Sequence, residues 1–306
     1  MGAELIVGTG CDDQRMTTLG AVFLPQLPPE RLKDVARAAD NSGLEELWLW
    51  EDCFFESGIA SAAAALAWTG RVRIGVGLLP VPLRNAALTA MEIATLHRMF
   101  PGRVQVGVGH GVLDWMAQVG ARAGSPLTLL REQLVALRAL LRGEEVTTDG
   151  RYVHLDQVAL DWPPVTPPAV LAGATGPRTL RLSGELADGT ILTASTTADG
   201  VRQARRLIDE GRSAAGRTDA HPVTVYLLTA TGPGAAERLR AASRHGQGGD
   251  PPGWPGAAGD AQAIADAVRR HAEAGADSVI LQPTADDPDP EGFIRFVAQD
   301  VRPLVQ

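Results

Sequence analysis

The sequence predicts a single (β/α)8 barrel, and three observations point there. Eight short β-prone runs alternate with helical stretches, which is the signature of repeated βα units feeding a parallel sheet. The helical stretches carry apolar residues at three- and four-residue spacing, the pattern of a helix packed on one face. A doubly wound open sheet would place phosphate-binding glycines directly after strand one, where the sequence has Leu24-Pro25-Gln26-Leu27 instead. The 306 residues fit one barrel domain. Residues 1–15 read as an N-terminal extension and 16–306 as the barrel.

In chain order the strands are expected at Leu19–Leu24, Glu46–Trp50, Val72–Gly77, Arg103–Val108, Ala169–Ala172, Thr190–Thr193, Val223–Thr229 and Ser278–Gln282. Between strands four and five, Leu127, Leu130, Leu134, Leu137 and Leu141 form a stripe that stops at Gly143, as a helix packed against a barrel does. Glu144–Leu155, with Asp149-Gly150 between two β-prone runs, reads as a hairpin outside the barrel. Pro233–Gly259, rich in Gly and Pro, reads as a long loop with a helical piece. Such a loop on the catalytic face is either a lid or substrate wall, or a tolerated surface insertion.

Composition narrows the function. With 45% hydrophobic and 21% charged residues the chain can bury a large core. A net charge of −8 opposes binding to nucleic acid or an anionic membrane, which leaves a small molecule as the expected partner. No run of about 18 apolar residues exists that could span a bilayer. Two cysteines, Cys11 and Cys53, make no disulfide framework, and no Cys/His cluster has zinc-like spacing, so a metal-free cytoplasmic protein is expected. Lys33 is the one lysine among 28 basic residues, an arginine bias typical of a GC-rich genome.

Function in a barrel sits at the C-terminal ends of the strands. Asp52 follows strand two there, and His110 follows strand four directly after Gly107-Val108-Gly109. Both are acid–base candidates. Gly107 and Gly109 open room for a planar ring or for a neighbouring backbone. Gly173, Ala174, Thr175 and Gly176 lead into a helix that begins with Pro177, and Arg178 lies in its first turn. A glycine-rich helix start with a nearby cation suits a phosphate. Trp48 and Trp50 share one parity of strand two; Trp50, Trp115 and Trp254 are candidates for an apolar substrate wall.

Several segments together resemble the luciferase-like monooxygenases and their F420-dependent relatives. They are Ile74-Gly75-Val76-Gly77-Leu78-Leu79-Pro80, Pro82-Leu83-Arg84-Asn85, Ala94-Thr95-Leu96-His97 and the run from Gly102 to Gly109. Ala172 to Pro177, Leu186-Ala187-Asp188-Gly189 and Ala274-Gly275-Ala276-Asp277 extend the resemblance from about Leu19 to the C-terminus. It implies coenzyme F420 as cofactor, with FMN as the alternative, and hydride transfer to or from an organic substrate. A flavin monooxygenase and a non-catalytic flavin-binding or assembly subunit are the competing readings. The resemblance further implies a bulge with a cis Gly77–Leu78 bond against the cofactor ring, a cofactor phosphate at Gly173–Arg178, and a homodimer through the helices beside strands two and three. In the deazaflavin branch an Asp-His pair follows strand two; here Cys53 stands in place of the His, and Glu51 precedes Asp52. An acid occupies the place of His110 in the sugar-phosphate dehydrogenases of that branch, and the apolar loops point to a substrate less polar than theirs.

Overall fold

The structure, a computed structural model, describes residues 17–244 and 256–306. The expected extension 1–15 and Trp254 lie outside the described residues. The strands in chain order are β1 (Thr18–Val22), β2 (Glu46–Leu49), β3 (Arg73–Pro80), β4 (Val104–Gly109), β5 (Val146–Asp149), β6 (His154–Val158), β7 (Val170–Gly173), β8 (Gly189–Leu192), β9 (Val223–Thr231), β10 (Gly256–Gly259) and β11 (Ser278–Pro283). The helices are α1 (Leu32–Ser42), α2 (Gly58–Trp68), α3 (Ala86–Met99), α4 (Leu113–Gln118), α5 (Pro126–Leu141), α6 (Pro177–Leu186), α7 (Ala198–Ala214), α8 (Ala235–Arg244), α9 (Ala261–Glu273) and α10 (Pro290–Phe296).

Eight parallel strands close in the order β1, β2, β3, β4, β7, β8, β9, β11 and back to β1, so the expected (β/α)8 barrel is the fold. The antiparallel pair β5–β6 is the expected hairpin outside it. The insertion after β9 holds the expected helical piece, α8, and differs from expectation in ending on a further strand, β10. β9 is nine residues long; Val223 to Val225 pair with β8, and Leu228 to Thr231 pair with β10 above the end of β8. The run Gly256-Ala257-Ala258-Gly259 carries no branched or aromatic residue, so nothing in its own preference marks a strand. The unpaired edge of β9 supplies the ladder.

Side-chain parity sorts the core into two layers. Leu47 and Leu49 of β2 join the large layer between barrel and helices. Trp48 points into the barrel with Val22, Leu171, Ile191, Tyr226, Leu228 and Ile280, and Trp50 packs on this inner cluster. Glycine on the neighbouring strand makes room for the indole: a Cβ at Gly75 would lie 2.4 Å from the Trp48 ring.

The N-terminal face of the barrel is closed by paired charges. Glu46 accepts from Trp48 Nε1 at 2.8 Å, Arg73 at 2.8 Å and Gln105 at 2.6 Å. Asp188 takes Arg138, Arg217 and the Val170 backbone N–H. Asp277 takes Arg205 and the Val223 N–H. The Ala-Asp-Gly and Gly-Ala-Asp motifs before β8 and β11 therefore tie strand starts to helices.

Candidate active site

A cavity of about 810 Å³ opens at the C-terminal ends of the strands. Its position follows from the interior packing: Trp48 and its neighbours fill the lower barrel, and the smaller or turning residues at the strand ends leave space above them.

One wall is the end of β3. The β3–β4 register jumps between Val76 and Leu79, so Gly77 and Leu78 form a bulge, and the Gly77–Leu78 bond is cis, as the resemblance implied. A second non-prolyl cis bond, Cys53–Phe54, follows Asp52. Leu78 lines the cavity and occupies the space that Cβ atoms at Gly109 and Gly173 would take, at 2.6 Å and 2.2 Å. Ile191 likewise fills the space beside Gly107, whose Cβ would fall 2.3 Å from its Cδ1. Gly107 and Gly109 thus shape the cavity through Ile191 and Leu78, while Val108 is buried in the layer between barrel and helices.

The acids after β2 have different fates. Glu51 forms a bidentate ion pair with Arg84, each side chain only 12% exposed, and also accepts from the Gly58 N–H at 2.8 Å. Arg84 bridges onward to Glu92, and Asn85 caps α3 by accepting from Ala87 N–H. The Pro-Leu-Arg-Asn motif is therefore a clamp that fixes Glu51. Asp52 lines the cavity with no ion-pair partner among the described residues. Burial pushes its carboxyl up to about 6, and the nearby Glu56 carboxylate adds to the shift. Both carboxyl oxygens of Glu56 are buried and lack a partner of hydrogen-bonding geometry. Burial raises the Glu56 carboxyl as well, offset in part by its own backbone N–H. Cys53, where the resemblance to the deazaflavin branch implied a His, is a thiol that burial and the adjacent carboxylates hold up, hence protonated at neutral pH.

His110 also lines the cavity, with Nε2 3.3 Å from Thr179 Oγ1. Burial lowers its pKa, so the ring is neutral near pH 7. Trp50 and Trp115 both border the cavity. Tyr226, which no sequence motif marked, sits between Trp50 and the bulge: its hydroxyl donates to the Gly77 carbonyl at 3.1 Å, and its ring meets Trp50 edge-on at 5.3 Å. Its alternation with Leu228 in β9 is the signal that places it inside the barrel. Glu56 had no such signal, because a loop residue has no periodicity to read.

The opposite end of the cavity is polar. Gly173, Ala174 and Thr175 line it, and Thr193 and Ser195 exchange a hydrogen bond at 2.9 Å. An adjoining recess of about 350 Å³ continues past Thr175 toward Thr196 and Thr197 at the start of α7. The N-cap of α6 is Gly176, which has no capping side chain, leaving N-terminal amides without a side-chain acceptor. Arg178 is exposed there and takes part in no ion pair among the described residues.

Comparison with known proteins agrees with this architecture. Residues 12–291 match the family model for luciferase-like monooxygenases. A 5,10-methylenetetrahydromethanopterin reductase of Methanolobus tindarius is 31% identical over 65% of the chain and 61% of its own length. An F420-dependent glucose-6-phosphate dehydrogenase of Nakamurella multipartita is 30% identical over 60% of the chain and 62% of its own length. The alignments therefore span under two thirds of these relatives. Among solved structures, the coenzyme F420-dependent tetrahydromethanopterin reductase of Methanopyrus kandleri superposes with a TM-score of 0.82 at 22% identity, covering 95% of this chain and 100% of that one. An FMN complex of a Baeyer-Villiger monooxygenase component from Pseudomonas putida gives 0.75 at 16% identity, over 94% of this chain and 98% of that one.

Proposed function

This chain belongs to the luciferase-like monooxygenase family, and from that premise we propose that it is an F420-dependent oxidoreductase moving a hydride between the deazaflavin and an organic substrate. The observation that carries the reading is the uncompensated Asp52 carboxyl, held up to about 6, in the same cavity as the β3 bulge. The neighbouring Glu51, the acid a monooxygenase reading would favour, is committed to Arg84.

In this proposal Leu78 and the bulge support one face of the cofactor ring, with Gly107 and Gly109 giving Leu78 and Ile191 their places. Gly173, Ala174, Thr175 and Gly176, with the amides that open α6 and the Arg178 guanidinium, hold the phosphate-bearing tail. When bound, the deazaflavin supplies a ring carbon that gives or takes a hydride. Asp52 holds the accompanying proton at its carboxyl, since a group titrating near 6 exchanges it readily around neutrality. Neutral His110 is the second candidate for that proton, and Trp50 and Trp115 exclude water from the substrate side.

The test is to supply purified protein with reduced F420 or reduced FMN under air and follow oxygen. Turnover with F420 and no oxygen uptake supports the proposal. Oxygen uptake coupled to substrate oxidation with FMN makes the protein a monooxygenase, and cofactor binding without turnover across a substrate panel makes it a binding subunit. We also propose a cytoplasmic homodimer through the α2–α3 face, where Leu88, Met91 and Met99 are exposed; light scattering checks the mass.

A further inference from the structure

We infer that the substrate taken by this cavity is an uncharged, largely apolar molecule with a neutral hydrogen-bonding group, and not a phosphate or a carboxylate. The inference rests on the oxidoreductase reading and narrows it. The first ground is what lines the cavity. Among the described residues no lysine or arginine does so. Residues 245–255, which join α8 to β10, contain neither lysine nor arginine. The polar side chains around the apolar wall, Gln26, Thr193, Ser195, Gln282 and Thr284, are all neutral. Thr284 is 1% exposed and its hydroxyl has no hydrogen-bond partner, so an uncharged ligand group there would complete it.

The second ground is the charge already present. Asp52 is the one acid of the lining whose carboxyl has no cation beside it, and a phosphate or carboxylate placed near it meets a like charge in a partly dry site. His110 offers no compensation, because burial keeps its ring neutral. A buried anion is held by cations or converging N–H groups, and those on offer lie at the start of α6 beside Arg178, where the cofactor tail is assigned. A cation fares little better: of the two acids left without a cation only Asp52 lines the cavity, and burial disfavours the carboxylate form of both Asp52 and its neighbour Glu56.

The experiment compares three ligands with one carbon skeleton, cyclohexanone, cyclohexyl phosphate and cyclohexylamine, binding to the wild-type protein at pH 7.5. Quenching of tryptophan emission is the readout, since Trp50 and Trp115 border the cavity. The expected result is binding of cyclohexanone at least tenfold tighter than either charged ligand. Equal or tighter binding of the phosphate or the amine, or no binding of cyclohexanone, overturns the inference. A variant tests the cause: Thr193→Lys, at an exposed position of the lining, is expected to raise the affinity for cyclohexyl phosphate relative to cyclohexanone at least tenfold, both measured on that variant. No gain for the phosphate would show that the missing cation is not what excludes it. A parallel F420 titration separates the two claims. Failure to bind F420 defeats the oxidoreductase reading and leaves the ligand preference measured, whereas F420 binding with a preference for cyclohexyl phosphate defeats the substrate class alone.

Discussion

The two ends of the barrel treat charge in opposite ways. At the N-terminal face every acid described above is answered: Glu46 by Arg73 and Gln105, Asp188 by Arg138 and Arg217, Asp277 by Arg205. At the C-terminal face Glu51 has Arg84, but among the described residues Asp52 and Glu56 are left without a cation, although burial raises both carboxyls, and Arg178 is left without an acid. One end lowers the free energy of the fold with its charges; the other holds them in an unsettled state that a ligand or a proton can settle.

The comparison breaks most visibly at the N-terminal face. Asp188→Ala strands the Arg138 guanidinium and the Val170 N–H, while Arg217 keeps Asp219, so unfolding free energy is expected to fall by about 2–3 kcal/mol, the upper part of the range for a partly buried donor left without its acceptor. Urea denaturation checks this, and F420 affinity of the folded protein should stay within about twofold, the scatter expected for a site far from the change.

The opposite sign is expected at Asp52. Its native pKa of about 6 lies above the unfolded value of about 3.9, so the native state favours the protonated form. That contribution is fully present below pH 4 and is lost as pH rises through 6. Asp52→Asn removes the loss: relative to wild type the variant should gain about 2 kcal/mol at pH 8 and nothing at pH 4. A pH series of denaturation curves reads both ends, and an equal effect at the two pH values would place Asp52 in an ordinary solvated setting.

Arg178→Glu sharpens the same contrast at the start of α6, the proposed site of the cofactor tail. A charge-assisted contact to phosphate is worth about 1.5–3 kcal/mol, so F420 affinity is expected to drop tenfold or more with unchanged melting temperature. Unchanged affinity removes Arg178 from the site. The smallest effect expected is from Glu56→Gln, which removes the second of the two causes holding Asp52 up. The midpoint of the Asp52-dependent stability profile should move down by less than about one pH unit, desolvation being the larger cause. An upward shift would contradict the charge coupling.

How much of this was legible in the sequence depended on whether a residue's role is local. Strand positions followed from β-prone runs and their alternation, and the Trp48/Trp50 parity put both indoles on one face, which the structure shows to be the inner one. β10 was not legible, since its Gly-Ala-Ala-Gly run becomes a strand only because β9 offers an edge. The motifs around Arg84, Asp188 and Asp277 were visible, yet their roles as clamps and staples needed partners up to 72 residues away in sequence. That Arg84 pairs with Glu51 and leaves Asp52 without a cation is likewise invisible in the order of the two acids, because Arg84 lies a strand away in sequence. The alternation of Tyr226 with Leu228 was available in β9, whereas Glu56 came from burial, which a single sequence does not display.

The central claim is that the C-terminal face is built around a deazaflavin, and an equilibrium titration tests it most directly. Purified protein, free of cofactor, is titrated with F420 and separately with FMN while cofactor fluorescence is followed. The account predicts saturable F420 binding with a Kd below about 1 μM, equivalent to roughly 8 kcal/mol, and FMN weaker by at least about tenfold. Tight FMN binding with no measurable F420 affinity would contradict it.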